Sequence, residues 1–199
     1  MKLSKTLGMI IGRFQHLHIG HVEMIKQGIE RCDQILLLVG SSQESSTVRN
    51  PFPCSLRIEV IEAVFKKEIQ ERRLFVGDIQ DLTNEDDHSL AWGDYVFEVI
   101  EDWKGQYGIV ADLGYMVYGN DEERQTWYRN EHVDDVKQLV LDRGTLPISA
   151  TKMREFLIQD DRVAWLSYMP ADRLSFKEMN RLYDLLREEL IKVPEYQRK

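Results

Sequence analysis

A doubly wound α/β domain, a parallel sheet carrying helices on both faces, is what this 199-residue sequence predicts. Short apolar runs that end at glycine, helically spaced apolar residues between them, and the regular alternation of the two are the observations that lead there. The first run spans residues 7–11 and stops at Gly12; the second, ILLLV at 35–39, lies between Asp33 and Gly40. Both read as strands covered on two faces. Val22, Ile25, Ile29 and Cys32 between them predict a helix over 20–32, the crossover of a βαβ unit, which makes the strands parallel. The pattern recurs. Ile58, Ile61, Val64, Phe65 and Ile69 give a helical stripe, and 74–76 a strand ending at Gly77. Tyr95, Val96, Val99, Ile100 and Trp103 give another stripe, and 115–118 a strand ending at Gly119. From Ser149 the chain turns helical again, and Phe176, Met179, Leu182, Leu186, Leu190 and Val193 share one face of a long helix. Residues 1–158 are therefore expected to form the α/β domain and 159–199 a C-terminal helical extension packed on it.

Composition narrows the function. With 34 acidic and 26 basic residues the net charge is −8, which disfavours a broad nucleic-acid face but leaves local phosphate binding open. Two cysteines, Cys32 and Cys54, supply no disulfide framework and point to free thiols in a reducing compartment. No stretch approaches the ~18 apolar residues of a membrane span, and the apolar start is too short for a signal peptide, so a soluble, cytoplasmic protein is expected. Residues 41–53 (SSQESSTVRNPFP) read as a polar loop, and 78–102, with nine acidic and no basic residues, as a solvated acidic face whose spacing fits no compact calcium loop.

In open α/β sheets ligands sit beyond the carboxyl ends of the strands, so those turns matter most. The turn after the first strand reads Gly12-Arg13-Phe14-Gln15-His16-Leu17-His18-Ile19-Gly20-His21 and leads into a helix. The free N–H groups of such a helix start attract phosphate, histidines add hydrogen bonds, and Gly20 lets backbone approach a ligand. Neither a G-x-G-x-x-G nor a P-loop is present, and the three histidines lack the spacing of a metalloprotease zinc site. A capping or packing role would suffice for this cluster alone. A second segment, Ile148-Ser149-Ala150-Thr151-Lys152-Met153-Arg154, combines a helix-capping hydroxyl with a first-turn guanidinium and makes a second phosphate receptor.

Together, H-I-G-H and I-S-A-T-K-M-R resemble the H-x-G-H and I-S-x-T-x-x-R signatures of the nucleotidyltransferase superfamily. Gly12-Arg13-Phe14-Gln15, Gly40-Ser41-Ser42-Gln43, Arg49-Asn50-Pro51-Phe52, Trp92 and Tyr118-Gly119-Asn120 are similar to the archaeal type of nicotinamide mononucleotide adenylyltransferases. The resemblance covers about residues 7–158. It departs at His16, where the family usually has proline, and at Ala150, where it often has glycine. No K-M-S-K-S loop of a class I synthetase is found.

The resemblance implies a Rossmann-like nucleotidyltransferase fold and transfer of AMP from ATP to nicotinamide mononucleotide, giving NAD and pyrophosphate. It places His18, His21, Arg13 and Arg154 at the reacting phosphates. Gly12, Phe14, Gly20, Gly119, Asn120, Ile148, Ser149 and Thr151 fall around ATP. For the acceptor it implies Arg49 at the phosphate, Trp92 as the face for a cationic nicotinamide ring, with Phe52 beside it, and Asp81 as carboxamide reader, with Asp78 the alternative register. Read from the residues alone, Trp92 at a helix start is a core aromatic. Mg²⁺ is implied as a bridge between phosphate oxygens, with few protein ligands. Phosphoryl chemistry of this kind needs alignment and charge neutralisation rather than a covalent nucleophile. His16, His88 and His132 receive no role. Nicotinate mononucleotide, flavin mononucleotide or phosphopantetheine as acceptor, cytidylyl transfer, and a non-catalytic nucleotide-binding regulator are the competing readings. The apolar stripes of the C-terminal helices suit either a homo-oligomer interface or cover for the domain's own sheet.

Overall fold

The computed structural model describes residues 5–84, 86–119, 124–142 and 148–197. Strands β1 (Thr6–Gly12), β2 (Gln34–Val39), β3 (Leu74–Asp78), β4 (Asp112–Gly119) and β5 (Lys137–Leu141) pair in parallel in the order β3-β2-β1-β4-β5. The chain winds outward from β1 through β2 to β3, then returns to the other side of β1. The reversal lies between β1 and β4, where doubly wound sheets open a crevice for ligands.

Side-chain alternation along the strands divides the core in two. Leu7, Met9, Leu36, Leu38, Phe75, Met116 and Tyr118 face one way, and pack under α4 (Leu90–Tyr107), with Val133 of the short α5 (Asn130–Val133) against the same cluster. Ile10, Ile35, Leu37, Val39, Leu74, Val76 and Val117 face the other. That second side is covered by α1 (Ile19–Arg31), α2 (Cys54–Val64), α6 (Ala150–Ile158), α7 (Arg162–Ser167) and α8 (Phe176–Leu190). With strands buried on both faces, each large aliphatic side chain contributes about 1.5–3 kcal/mol of burial, which explains the uninterrupted apolar runs.

The structure departs from the sequence pattern at three places. The stripe over 58–69 is two helices, α2 and then α3 (Lys66–Gln70), because Phe65 leaves helical geometry (φ −110°, ψ 25°) with its ring fully buried. Strand β5 adds an edge to the expected sheet; its short apolar run, Leu139, Val140 and Leu141, follows Lys137 and Gln138 and is nowhere fully buried. In α8 the stripe Met179, Leu182, Leu186 and Leu190 is buried in this chain's own core, while Phe176 at its first position stays exposed. A capping box between Ser175 and Glu178 starts that helix. Among the described residues no helix is long and apolar enough to cross a membrane.

Candidate active site

The turn leaving β1 is shaped by two local constraints. Phe14 adopts a left-handed conformation (φ 49°), uncommon outside glycine, which reverses the chain before the histidines. His18 then becomes the N-cap of α1, its Nδ1 accepting from the Gly20 N–H at 3.1 Å. A Cβ on residue 20 would stand 3.0 and 3.1 Å from the His18 ring, so glycine is what lets this imidazole lie over the helix start. Because Nδ1 is an acceptor, the ring proton resides on Nε2, leaving Nε2–H as the donor it can offer a phosphate. The His21 ring lies 4.0 Å from that of His18, and Phe14 meets His21 edge-on at 5.2 Å.

Helix α6 brings the second segment against this turn. Ser149 is its N-cap, accepting from the Lys152 N–H at 3.2 Å. Arg154 donates through Nη2 to Thr151 Oγ1 (3.2 Å) and through Nη1 to the Gln15 carbonyl, so its fork is tied to both segments. Its Nε is buried without a hydrogen-bond partner among the described residues. Burial lowers the Arg154 pKa, opposed by the Tyr196 phenol beside it.

Between these elements lies a cavity of about 410 Å³ that Gly12, Arg13, Phe14, His18, His21, Arg49, Gly119, Ile148, Ser149, Thr151 and Arg154 all line. It contains three arginines, two histidines and a helix N-terminus, and among the described residues no carboxylate lines it. A second, more apolar cavity of about 370 Å³ adjoins it, shares His18, Gly119 and Ile148, and adds Gly20, Val140 and Leu141. Residues 12 to 21 and 148 to 154, which the sequence singled out separately, thus converge at the switch between β1 and β4. Asn120 lies outside the described residues.

The acceptor residues are more dispersed. Arg49 makes a two-pronged pair with Asp86 (2.6 and 3.0 Å), bridging the 41–53 loop to the acidic loop after β3, and this hydrogen-bonded guanidinium lowers the Asp86 pKa. Asp81 faces the 41–53 loop: it accepts from Ser41 Oγ at 3.1 Å and from Gln43 Nε2 at 3.0 Å. Trp92 is only 9% exposed and packs on Tyr95 in the core under α4, so most of its surface serves packing. Phe52 is enclosed in this structure. Its ring is fully buried beside His16, and the Gln15 side chain holds both its backbone N–H (3.0 Å) and its carbonyl (3.2 Å). An apolar ring with every backbone polar group satisfied has nothing to gain at the surface.

Sequence reasoning missed Arg57. It is 2% exposed, and its guanidinium donates to the carbonyls of Arg13 (2.8 Å), Gly40 (2.7 Å) and Ser41 (3.0 Å), cross-bracing the ends of β1 and β2 beneath the cavity. Burial lowers its pKa. The available signal was a lone charge on the apolar stripe of α2 with Val60, Ile61 and Val64.

Comparison with known proteins fits this geometry. The cytidylyltransferase-like family model matches residues 9–166. A nicotinamide-nucleotide adenylyltransferase of Saccharolobus solfataricus is 51% identical over 59 residues, 30% of this chain and 34% of that protein. One from Thermococcus sibiricus is 27% identical over 82% of this chain and 78% of its own length. The match spans only about a third to a half of several archaeal relatives, 34% and 48% for those of Saccharolobus and Thermococcus kodakarensis. Among solved structures, a bifunctional NMN adenylyltransferase/ADP ribose pyrophosphatase from Francisella tularensis shares the fold. Its TM-score is 0.68 at 16% identity, over 96% of this chain and 53% of that one.

Proposed function

Since the chain belongs to the cytidylyltransferase-like family, we propose that it is a nicotinamide-nucleotide adenylyltransferase. A 5′-phosphate oxygen of nicotinamide mononucleotide attacks the α-phosphorus of ATP, the bond to the bridging oxygen breaks in line, and NAD and pyrophosphate form. The observation that carries this reading is the cavity where Arg13, His18, His21, Arg49, Ser149, Thr151 and Arg154 meet, with no carboxylate among its described lining residues. Seven groups able to bind phosphate around about 410 Å³ suit a centre where two phosphorylated substrates meet and negative charge builds on the departing pyrophosphate. The adjoining, more apolar cavity, lined also by Glu23, Gln27 and Asp142, suits the adenosine half of ATP.

In this assignment His18 and His21 bind the α- and β-phosphates, and Arg13 the reacting centre. Ser149, Thr151 and Arg154 hold the β- and γ-phosphates at the start of α6. No covalent nucleophile is needed. Mg²⁺ enters as Mg-ATP: the described side chains of the cavity offer guanidinium, imidazole, amide and hydroxyl groups, a poor set for a hard cation that prefers carboxylates, so its ligands are phosphate oxygens and water. At the acceptor site Arg49 takes the mononucleotide phosphate, the exposed edge of Trp92 the nicotinamide ring, and Asp81 the carboxamide. A carboxylate there favours the amide over nicotinate by charge repulsion. Two cysteines that are both free accord with a cytoplasmic setting.

The test is pyrophosphate release from Mg-ATP with nicotinamide mononucleotide, nicotinate mononucleotide, flavin mononucleotide or phosphopantetheine, one at a time. Release with the first, together with NAD formation, is expected. Silence with that acceptor, or faster release with another, rejects the assignment.

The Arg49–Asp86 pair gives a second expected result. Substrate phosphate must displace Asp86 from Arg49, and exposed ion pairs of this kind are weak. Asp86→Asn should therefore lower KM for nicotinamide mononucleotide roughly two- to fivefold and leave kcat and KM for ATP unchanged. A raised acceptor KM would show that Asp86 orients Arg49 rather than competing for it.

A further inference from the structure

The most deeply buried titratable side chain of the first phosphate-binding turn takes no part in the transfer described above. His16 is 1% exposed. Its Nε2 accepts a hydrogen bond from Trp165 Nε1 at 2.9 Å, and its Nδ1 meets the Leu17 carbonyl. Indole is a donor only, so the imidazole is the neutral tautomer with its proton on Nδ1. Burial drives its pKa down to about 3, with the Leu17 carbonyl opposing, so the ring remains an acceptor for Trp165 throughout the physiological range.

Trp165 belongs to α7, in the C-terminal helical extension, and is fully buried. The turn that follows it makes two further contacts. The Tyr168 carbonyl accepts from the Ile19 N–H at 3.0 Å, at the first residue of α1, which separates His18 from Gly20. The Tyr168 ring stacks on Phe156 at 5.9 Å and 8°, two residues after Arg154 on α6. One short stretch, 165–168, therefore holds the His18–His21 turn from behind at two points and braces the helix that carries Arg154.

We propose that Trp165, acting through His16, is a positioning residue for adenylyl transfer: the C-terminal extension fixes the spacing between the two phosphate-binding segments. This rests on the adenylyltransferase reading. The two segments are separated by more than a hundred residues of sequence, and the charge they neutralise must be met from both sides at once. A bond that anchors one segment to the element bracing the other contributes most when the phosphates are in transit and least when ATP merely binds.

Trp165→Phe keeps an aromatic ring and removes the donor. His16→Leu removes the acceptor, and His16→Gln restores one. Measured per folded site, counted by ATP-analogue titration, Trp165→Phe and His16→Leu should each lower kcat roughly tenfold, within the 10²-fold that a ~1 Å misplacement can cost. KM for ATP and for the acceptor should stay within about twofold, since the ground-state contacts remain. His16→Gln should recover at least half of the lost rate. A merely structural role predicts otherwise: all three variants would lose thermal stability, and kcat per folded site would match wild type. That outcome, or equal losses in His16→Leu and His16→Gln, overturns the proposal.

The imidazole NMR signals of His18 and His21 in the ligand-free protein give a readout that needs no turnover. They should move in Trp165→Phe and return toward wild type in His16→Gln relative to His16→Leu. If wild type transfers adenylate to none of the acceptors while these signals shift, the functional reading fails and the anchoring stands. If they do not shift, the anchoring itself is refuted.

Discussion

Replacing Arg154 with alanine is expected to lower kcat/KM for ATP by about 10²–10³, the usual cost of removing one donor aimed at charge that develops in a transition state. The guanidinium is held ready before substrate arrives. Nη2 is on Thr151 at 3.2 Å and Nη1 on the Gln15 carbonyl, so little reorganisation is needed when pyrophosphate begins to leave. Arg154→Lys keeps a charge but not a planar fork tied at two points, and should recover less than a tenth of the loss. Thermal unfolding separates the catalytic effect from a structural one. The Gln15 carbonyl loses its partner in both variants, so both should unfold at similar temperatures while differing in rate. A fall in kcat/KM of less than about threefold in Arg154→Ala would remove Arg154 from the transfer centre.

What the sequence disclosed depended on how each feature is encoded. Strands β1 to β4 were legible because burial on both faces demands unbroken apolar runs, and α1 and α4 because a one-sided helix demands spacing by three and four. β5 was not: at the sheet edge only three of its five residues are apolar, and none of the five is fully buried. Likewise the phosphate-binding residues were legible as two motifs, and the fold places them at the same cavity because one follows the first strand and the other starts a later helix at the same end of the sheet. Residues that act through backbone carbonyls left much weaker marks. Arg57 braces three carbonyls, and nothing in local spacing distinguishes such an arginine from a surface one except its place on a buried stripe. The partner of His16, Trp165, is 149 positions away, a pairing that only the tertiary fold discloses. The burial of Phe52 is likewise a matter of tertiary packing. It sits in a motif with Arg49, and one residue of that loop points outward while the other is sealed against Gln15 and His16.

The second large effect concerns the histidines, and there two properties of one side chain must be separated. His21→Ala should lower kcat by about 10²–10³ with a smaller change in KM for ATP, as expected of a group that contributes mainly when charge moves onto the bridging oxygen. His18→Ala should cost as much in rate, and also destabilise the fold by about 0.5–2 kcal/mol, because the Gly20 N–H loses its cap acceptor. His18→Asn resolves the two. Asparagine is a preferred N-cap and can accept from the same N–H, but it is too short to present a donor where Nε2–H of the imidazole lies. Its melting temperature should return close to that of wild type while kcat stays at the level of His18→Ala. If His18→Asn restored both, the imidazole would be a cap alone, and phosphate neutralisation would fall to His21 and the arginines. If it restored neither, the spacing of the α1 start would depend on the ring itself, here packed 4.0 Å from that of His21. Measuring kcat and unfolding on the same three proteins therefore assigns the His18 ring to chemistry, to capping, or to holding its neighbour.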